Sequence, residues 1–456
     1  MTLNNLKNPV LIIFLSALII RLTFLAFFYQ AYEGRFLEGD SIDYITLAQN
    51  LISDNGFSLD SAEPFRSTLS YTPGYPIFLI LASLGTLNLL SILIIQCVIG
   101  ALTAVVIYKL SLLITDAKKS LIAAGLFLLE PGMIFFTNQI LTETIFIFFF
   151  ALNLFFLFRW FNKDSTRDLV YSGAALALST YIRPNGQFII ILELLFIFLA
   201  LIQRKTLFSK KSLIYLALPL ITFTILIAPW QFRNKNLTGH YILSTFGPYA
   251  LASRSLSSYI AWKNKISMDS AFKKVKTSLI EKGVNPSSFD FETNYDPKLQ
   301  SETLKILAKN PIEYGISQLR FLPSFFVSSG WSEIIKIFQG NNTNPPYFPN
   351  RLDRDAIIQI MKSGGLVGLI GSLAGAAFFI LIYVFSLIGL LKMLYEKKTL
   401  IIGIFITIIT TYFFFSTGEL SYSRYRLPIN QFFFITASIG FGYLISLFSL
   451  RKTSAV

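Results

Sequence analysis

Acidic residues that follow the first long apolar run are the first candidates for chemistry in this chain. Asp40 comes soon after the apolar run 9–29 ends, and Asp43 follows it by three residues. A carboxylate close to a substrate hydroxyl can accept its proton as a general base. The position of Asp40, just before a helical pattern, is equally typical of a helix N-cap that binds free backbone N–H groups. Both interpretations of Asp40 stay open, with Asp43 as the competing base.

Two glutamates lie at the ends of later apolar runs. Glu143 opens the run 140–160, and Glu130 precedes Pro131 near the end of the run before it. A carboxylate at the start of a helix can simply favour the positive end of the helix dipole. A charged group at the edge of a membrane is costly, however, and this cost favours a functional role. We therefore rank Glu143 beside Asp40, and Glu130 below both as a helix-end or supporting residue.

Basic residues at the ends of apolar runs, on the same side as Asp40, are the candidates for binding an anion. Arg183, Arg233, Arg424 and Arg426 each stand at such an end. A single arginine there is typically one that extends its charged head to the membrane surface. Four of them on one side predict a site for a phosphate or diphosphate, which the guanidinium group binds well. Arg66, in the first polar loop, is a fifth candidate.

Tyrosines of the same loop complete the predicted substrate site. Tyr44 and Tyr71 belong to a set of aromatic residues that in most membrane proteins anchor the chain at the interface. Some of them can instead pack against a sugar or a lipid chain. His240 is the only histidine and Cys97 the only cysteine, so a multi-histidine metal site, a Ser/His/Asp triad or a disulfide is not supported. A divalent metal ion held by carboxylates and a phosphate stays open.

Composition indicates the environment of these residues. The chain has 456 residues, of which 54% are hydrophobic and only 14% charged, whereas about a quarter of the residues of a soluble domain are charged. Its apolar runs are long enough to cross a bilayer as helices. The net charge of +14 comes largely from short basic clusters between these runs, a pattern that sets membrane orientation. The sequence therefore predicts a multi-pass, all-α membrane protein that does not bind nucleic acid.

Ten apolar runs are predicted to span the membrane. The run 76–87 is shorter and is predicted to lie at the interface, and the count becomes eleven if it crosses. With ten spans the basic clusters between the runs share one side with Lys7, which the positive-inside rule makes the cytoplasm. The candidate residues above then share the outer side. The runs are 9–29, 88–113, 120–136, 140–160, 169–181, 188–202, 213–230, 366–391, 400–415 and 432–448.

The predicted organisation has three parts. Residues 1–230 form a transmembrane catalytic module with an outer loop at 30–76, in which 41–53 has the periodicity of an amphipathic helix. Residues 231–362 form a mostly helical outer cap, with helix-like stretches at 268–282 and 297–326. Residues 363–456 supply the last transmembrane helices. The first apolar run is predicted to remain in the mature protein as a signal anchor.

A set of short motifs, in this order along the chain, carries a resemblance to a known family. They are Gly39-Asp40 followed by Tyr44 and Ala48, 71–76 (Tyr-Thr-Pro-Gly-Tyr-Pro), 141–143 (Leu-Thr-Glu), 182–184 (Ile-Arg-Pro), 229–234 (Pro-Trp-Gln-Phe-Arg-Asn) and 424–428 (Arg-Tyr-Arg-Leu-Pro). In these the chain resembles the bacterial branch of the protein mannosyltransferase superfamily, GT-C-fold glycosyltransferases that include the aminoarabinose transferases. The resemblance extends from the first helix to the last loop.

The resemblance implies a polyprenyl-phosphate sugar as donor and a reaction on the outer face of the bacterial cytoplasmic membrane. It matches Asp40 to the catalytic aspartate of the first loop and Glu143 to the acidic residue of the second outer loop. Many relatives have Asp-Glu where this chain has Asp40-Ser41, so the role of the second carboxylate is unfilled or moves to Asp43 or Glu63. The cap has no motif that identifies the acceptor, which is a glycan, a lipid or a protein.

The residues and the resemblance together predict an inverting glycosyltransferase. A phosphate leaving group needs no general acid, so one loop carboxylate as base and a group of arginines would suffice. Attack from the side opposite the phosphate would invert the anomeric centre. A polymerase or ligase that uses a lipid-linked polysaccharide is the alternative, and a membrane transporter is a weaker one because the ionisable groups gather at one face.

Overall fold

Helices form the regular structure of this chain. The computed structural model describes residues 8–31, 37, 39–328, 354–418 and 423–453. Within those ranges there is no β-strand, and the isolated bridge between Ser58 and Ser67 is the only β-type pairing. The predicted all-α class is therefore confirmed. The last part of the predicted cap, 329–353, lies outside the described residues.

The first half of the chain contains ten α-helices and one 3-10 turn. They are α1 (Pro9–Ala31), α2 (Ser41–Ile52), α3 (Gly74–Ala82), α4 (Leu89–Leu112), α5 (Ala117–Leu129), α6 (Pro131–Thr137), α7 (Glu143–Lys163), α8 (Thr166–Ile182), the 3-10 turn Pro184–Phe188, α9 (Ile189–Gln203) and α10 (Lys210–Thr238). The predicted amphipathic helix at 41–53 agrees closely with α2. Helix α3 has 9 residues and is too short to cross a bilayer at about 1.5 Å per residue.

The cap and the last membrane segment follow. The cap helices are α11 (Phe246–Ala250), which continues through a π-helical turn (Leu251–Leu256) into α12 (Ser257–Asn264), then α13 (Met268–Glu281), α14 (Pro297–Lys309), α15 (Pro311–Leu319) and α16 (Leu322–Val327). The last helices are α17 (Arg354–Tyr395), α18 (Leu400–Thr417) and α19 (Ser423–Thr453). The predicted stretch at 297–326 is thus three helices, because the chain breaks twice, at Asn310 before Pro311 and again at residues 320–321 before α16. The predicted domain limits at 230/231 and 362/363 fall inside α10 and α17.

The number of membrane spans differs from the prediction. Eight helices of the described ranges are long and apolar enough to span, and a ninth span forms if α5 and α6 count as one helix bent by 56°. The bend occurs because Pro131 has no N–H and starts α6, with the Glu130 side chain capping it at the N–H of Met133. Helix α8, the predicted span 169–181, has 17 residues. The predicted ten to eleven spans are therefore not confirmed as a count.

Close helix packing holds the bundle together at places where a side chain would not fit. Helices α17 and α19 cross at Gly389 and Gly440. A Cβ atom at Gly389 would lie 1.9 Å from the carbonyl oxygen of Thr436, and one at Gly440 would lie 2.0 Å from that of Phe385. Glycine at both positions lets the two backbones approach, as is common between helices in a membrane.

The two ends of the bundle differ in their contacts. At one end, which we call the Asp164 end, Asp164 binds Arg204 at 2.8 Å and Lys211 at 2.7 Å. Helix α7 starts with Glu143 at the opposite end, which we call the Asp40 end. The basic residues 204 and 211 were predicted to share one side of the membrane, and these contacts place them together.

The first loop is held by the cap at the Asp40 end. Leu69 donates its N–H to the carbonyl of Glu292 at 2.7 Å, and its own carbonyl accepts from the N–H of Thr245 at 3.1 Å. The hydroxyl of Ser244 donates to the carbonyl of Ser70 at 2.6 Å. The irregular loop therefore takes its order from backbone hydrogen bonds to the cap.

Candidate active site at the Asp40 end of the bundle

Glu143 is the centre of a group of ion pairs. Its side chain is fully buried, and its Oε1 accepts hydrogen bonds from Arg183 Nη1 at 2.9 Å and from Arg424 Nε. The two arginine side chains are 16% and 14% exposed, so both are largely buried and a small part of each reaches the surface. A buried carboxylate with two arginine partners is far from the simple helix-start role that the sequence also allowed.

Asp40 joins this group through Arg424. Arg424 Nη2 lies 3.4 Å from Asp40 Oδ2, and the Asp40 side chain is 48% exposed. Asp40 does occupy the N-cap position of α2, but its side chain makes no capping hydrogen bond. The cap interpretation of Asp40 therefore loses its support. We call Asp40, Glu143, Arg183 and Arg424 the charged cluster.

Local sequence places each member of the charged cluster at the end of a helix. Glu143 is the first residue of α7, and Arg183 ends α8 in an extended conformation (φ −140°, ψ 120°) before Pro184. A residue that precedes proline avoids the helical region, so α8 ends there. Arg424 lies in the first turn of α19, in a stretch that the sequence analysis had placed between the predicted spans 400–415 and 432–448. The helix continues past Pro428, which cannot donate to the carbonyl of Arg424.

Tyrosines connect Asp40 to the turn before Glu143. The ring of Tyr44 packs edge-on against Tyr71 at 5.3 Å and against Tyr75 at 4.9 Å between ring centroids. The Tyr75 hydroxyl donates to Gln96 Oε1 at 2.8 Å. Gln96 in turn donates to the carbonyls of residues 137 and 139, at 3.0 and 2.7 Å. The sequence did not single out Gln96; a buried amide in an apolar run was the signal available for it.

Two of these tyrosine hydroxyls have raised pKa values. Burial, and next the negative charge of Asp40, raise the pKa of the Tyr44 hydroxyl. Burial and the 2.6 Å hydrogen bond to Asp43 Oδ2 raise the pKa of the Tyr71 hydroxyl. Both hydroxyls therefore stay neutral and can donate hydrogen bonds. Asp43 accepts from Tyr71, and this contact distinguishes it from Asp40.

Arg233 and Arg426 are directed to backbone carbonyls instead of to the charged cluster. Arg233 Nη1 donates to the carbonyl of Thr68 at 2.9 Å, and its guanidinium stacks on Trp230 at 4.6 Å. Arg426 is fully buried and donates to the carbonyls of residues 325, 326 and 328, at 2.6, 2.6 and 2.8 Å. The expectation that four arginines meet at one place is therefore wrong for these two, because their N–H groups satisfy loop and helix-end carbonyls.

Arg66 has a partner of its own in the first loop. Its Nη2 lies 2.9 Å from Asp60 Oδ1, and its backbone N–H donates to Asp60 Oδ2 at 2.7 Å. These hydrogen bonds lower the pKa of Asp60 to about 2, so the pair stays ionised at ordinary pH. The Arg66 side chain is 65% exposed, which leaves it accessible but separate from the charged cluster.

The described residues do not supply a set of metal ligands. No group of three or more histidine, cysteine, aspartate or glutamate side chains in those ranges is arranged to hold a metal ion. Asp40 and Glu143 already face Arg424, which balances part of their charge. The divalent ion held by carboxylates and a phosphate, which the sequence left open, stays a prediction.

One charged residue that the sequence reasoning missed is Arg21. It lies within α1 and is fully buried, with Nη1 donating to the carbonyl of Ala17 at 3.3 Å. Its signal was present in the sequence, since an ionisable residue inside an apolar run is expensive and usually has a function.

Comparison with known proteins agrees with this fold. Residues 72–232 match the family model described as dolichyl-phosphate-mannose-protein mannosyltransferase. The matched segment contains Glu143 and Arg183 but neither Asp40 nor Arg424. No curated protein sequence matches this chain at a significant level.

Solved structures match over nearly the whole chain. The oligosaccharyltransferase AglB from Archaeoglobus fulgidus, solved in complex with an inhibitory peptide and a dolichol-phosphate, has a TM-score of 0.56 and 12% sequence identity, and the match covers 98% of this chain and 52% of AglB. The oligosaccharyltransferase from the same organism, tethered to an acceptor peptide, matches at a TM-score of 0.54 with 13% identity, covering 98% of this chain and 51% of the enzyme. The chain therefore spans about half the length of these enzymes.

A third structure, ArnT from Cupriavidus metallidurans in the apo state, has a TM-score of 0.39 and 12% identity, with 92% of this chain and 77% of ArnT covered. The match to the archaeal enzymes and the family segment support one statement about architecture: this chain has a GT-C glycosyltransferase fold.

Proposed function

We propose that this protein is a membrane glycosyltransferase that transfers a sugar from a polyprenyl-phosphate donor to an acceptor hydroxyl. The reaction would take place at the Asp40 end of the bundle, on the outer face of a bacterial cytoplasmic membrane. The observation that carries the proposal is the charged cluster, where a half-exposed carboxylate and two partly open arginines meet. The GT-C fold supports the same class of reaction.

Arg183 and Arg424 are the groups that would bind the donor phosphate. Each binds Glu143 with only part of its guanidinium, and the rest of the fork can donate to phosphate oxygens. Glu143 holds both guanidinium groups in place through one oxygen atom. Because Glu143 is fully buried behind them, its proposed role is to position the arginines and balance their charge, without touching the substrate.

Asp40 is the group that would act as the general base. It is the exposed carboxylate of the charged cluster, and its contact to Arg424 is long, at 3.4 Å. A carboxylate with solvent access can reach an acceptor hydroxyl, whereas the buried Glu143 cannot. Asp43 is occupied by Tyr71 at 2.6 Å, so Asp40 is preferred over it. Tyr71, which is partly exposed, would offer an aromatic surface to a sugar, and the buried Tyr44 packs against it.

The proposed step is a direct displacement. The acceptor oxygen forms a bond to the anomeric carbon while its proton passes to Asp40, and the bond between that carbon and the phosphate oxygen breaks. The electron pair goes to the phosphate, where Arg183 and Arg424 stabilise the added charge. Attack from the side opposite the phosphate inverts the anomeric centre. The carboxylates nearby favour the positive charge that develops on the sugar.

A lipid-linked donor is supported by two observations. One is the dolichol-phosphate in the AglB structure, and the second is the family model matched by residues 72–232. The polymerase or ligase alternative would use the same cluster with a longer glycan on the lipid.

The test is the lipid that the purified protein retains. Mass spectrometry of wild-type protein in nanodiscs should detect a polyprenyl phosphate or its glycosylated form, and adding such a donor should give sugar transfer. The Arg183→Gln/Arg424→Gln double variant should lose the lipid, and Arg66→Gln, a variant of an exposed arginine outside the cluster, should keep it. Equal retention by both variants, or no phosphorylated lipid on the wild-type protein, would contradict the proposal.

A further inference from the structure

A small cavity inside the bundle connects Arg21 with the inner side of Glu143. Side chains from α1, α4, α6 and α7 line it, among them Arg21, Thr103, Thr137, Glu143 and Thr144. The cavity therefore touches the charged cluster at Glu143, whereas Arg183 and Arg424 are not among the residues that line it. None of the proposed catalytic steps uses Arg21.

Both charged residues bring unsatisfied polar atoms to this cavity. Arg21 Nε and Nη2 and Glu143 Oε2 are buried, and none of them has a hydrogen-bond partner among the described residues. No direct hydrogen bond or ion pair joins the two side chains within the described structure. A buried charged group without a partner is strongly unfavourable, so three such atoms around one cavity indicate a bound polar molecule.

The cavity has the size and the chemistry for one water molecule. It offers about 10 Å³ to the centre of a water molecule, near the roughly 10–15 Å³ that one buried water needs. Arg21 supplies N–H donors and Glu143 supplies an acceptor. The hydroxyls of Thr103 and Thr137 donate to the carbonyls of residues 99 and 133, and their oxygens can still accept from a water.

The surrounding residues hold the Arg21 side chain in this position. A Cβ atom at Gly100 of α4 would lie 2.7 Å from Arg21 Nε, so only glycine leaves room for the guanidinium there. On its other side the guanidinium lies over the ring of Phe127, 5.6 Å from the centroid. Glu130 is the carboxylate with an electrostatic influence on Arg21, and its Oε1 is also buried without a hydrogen-bond partner among the described residues, but it does not line the cavity.

We propose that Arg21 and Glu143 bind a common water molecule in this cavity, and that Arg21 thereby acts as a positioning residue for Glu143. Arg21 donates to the water, and the water donates to Glu143 Oε2. This leaves Oε1 turned toward Arg183 and Arg424, the arginines that would bind the donor phosphate. The positioning role rests on the proposed function, whereas the water-mediated link does not.

A double-mutant cycle tests the link. Arg21→Gln, Glu143→Gln and the double variant are compared with wild type for the dissociation constant of a short-chain polyprenyl phosphate and for thermal unfolding. If Arg21 acts through Glu143, adding Arg21→Gln to Glu143→Gln should weaken lipid binding less than twofold, although Arg21→Gln alone weakens it about tenfold. Arg21→Lys, which keeps the charge, should recover part of the loss. Additive effects in both measurements would overturn the proposal.

A parallel double-mutant cycle with Arg21→Gln and Glu130→Gln is the control that shows which carboxylate is the partner of Arg21. Its coupling energy should be smaller than that of the cycle with Glu143, because Glu130 influences Arg21 electrostatically but does not line the cavity. Coupling of Arg21 to Glu130 in place of Glu143 would also overturn the proposal.

A second pair of variants avoids removing any charge. Gly100→Ala places a methyl group against Arg21 Nε, whereas Gly125→Ala adds the same group in α5 where no atom lies within 4 Å. Alanine favours the helix at both positions, so the two differ in the contact with Arg21 and in a looser contact, at 3.2 Å, with Thr137 Cγ2. Gly100→Ala should weaken lipid binding about tenfold and Gly125→Ala should leave it unchanged. Equal affinities for the two variants would contradict the positioning role.

The proposed function and this inference can fail separately. If wild-type protein binds no polyprenyl phosphate, the proposed function fails, and the cycle between Arg21 and Glu143 is still measured by thermal unfolding. Non-additive effects of Arg21→Gln and Glu143→Gln on the unfolding temperature would then still support the water-mediated link. A cryo-EM map that resolves ordered water should show a peak within hydrogen-bond distance of both side chains, and an empty cavity in that map would rule the water out.

Discussion

Arg424 Nη2 lies 3.4 Å from Asp40 Oδ2, although the two residues are 384 positions apart in the chain. The contact joins the first loop to the start of the last helix, and Glu143 binds the same arginine. The opposite ends of the sequence thus meet at one carboxylate that is half exposed. This relationship separates Asp40 from the other acidic residues of the loop and underlies the predictions that follow.

Asp40→Asn should remove transfer activity and leave the protein folded. The Asp40 side chain makes no capping bond and its ion pair is half exposed, so the free energy of unfolding should change by no more than about 1 kcal/mol. Loss of a general base lowers the rate by roughly a hundredfold to ten-thousandfold. Sugar transfer, lipid binding and thermal unfolding of the purified variant measure this. Asp43→Asn is the matched control, and its loss of transfer activity should be much smaller because the amide oxygen still accepts from Tyr71. Near-normal transfer by Asp40→Asn would remove Asp40 from the mechanism.

Glu143→Gln should destabilise the protein much more than a change at an exposed carboxylate. The variant leaves Arg183 and Arg424 without their shared counter-charge in a site where Glu143 is fully buried. Breaking a buried ion pair in this way costs about 3–5 kcal/mol. Thermal unfolding in detergent or nanodiscs measures the effect, and Glu63→Gln, at an exposed position of the loop, is the control. Similar unfolding temperatures for the two variants would show that the ion pairs contribute little.

Arg424→Gln should mainly weaken lipid binding and Arg426→Gln should mainly destabilise the fold, although the two residues are only two positions apart. Arg424→Gln removes a proposed phosphate ligand and should weaken binding of a polyprenyl phosphate. Arg426→Gln leaves three buried carbonyls without a charged donor, at a cost of about 1–3 kcal/mol each. The affinity per folded molecule should stay near that of wild type in this variant. Loss of lipid binding by folded Arg426→Gln would return that residue to the anion site.

Cysteine labelling should place the first loop and the start of α5, at residues 116–119, on opposite sides of the membrane. Ser61 and Lys118 are exposed, and the native Cys97 is buried, so its background labelling should be low. In intact cells an impermeant maleimide should label Ser61→Cys, and it should label Lys118→Cys only after the cells are opened. The reverse pattern would mean that the charge-based orientation is wrong.

Much of the local structure could be predicted from the sequence. Apolar runs indicated the long helices, and the periodicity of residues 41–53 indicated α2 almost to its ends, because these patterns depend on spacing along one segment. The positions of Glu143 at a helix start and Arg183 at a helix end were also predictable, the latter from Pro184. The number of spans was harder to predict, because the bend between Glu130 and Pro131 divides one apolar run.

The sequence alone indicated a multi-pass helical membrane protein with acidic and basic candidates gathered at one side. Only the tertiary structure decided which candidates meet. Arg424 and Arg426 lie in one helix, where residues two positions apart point roughly 200° away from each other, so one faces Glu143 and the other faces the carbonyls that end α16. Whether a buried charge meets a carboxylate, a carbonyl or a cavity depends on how helices that are far apart in the sequence pack together. A local sequence pattern contains no information about that packing.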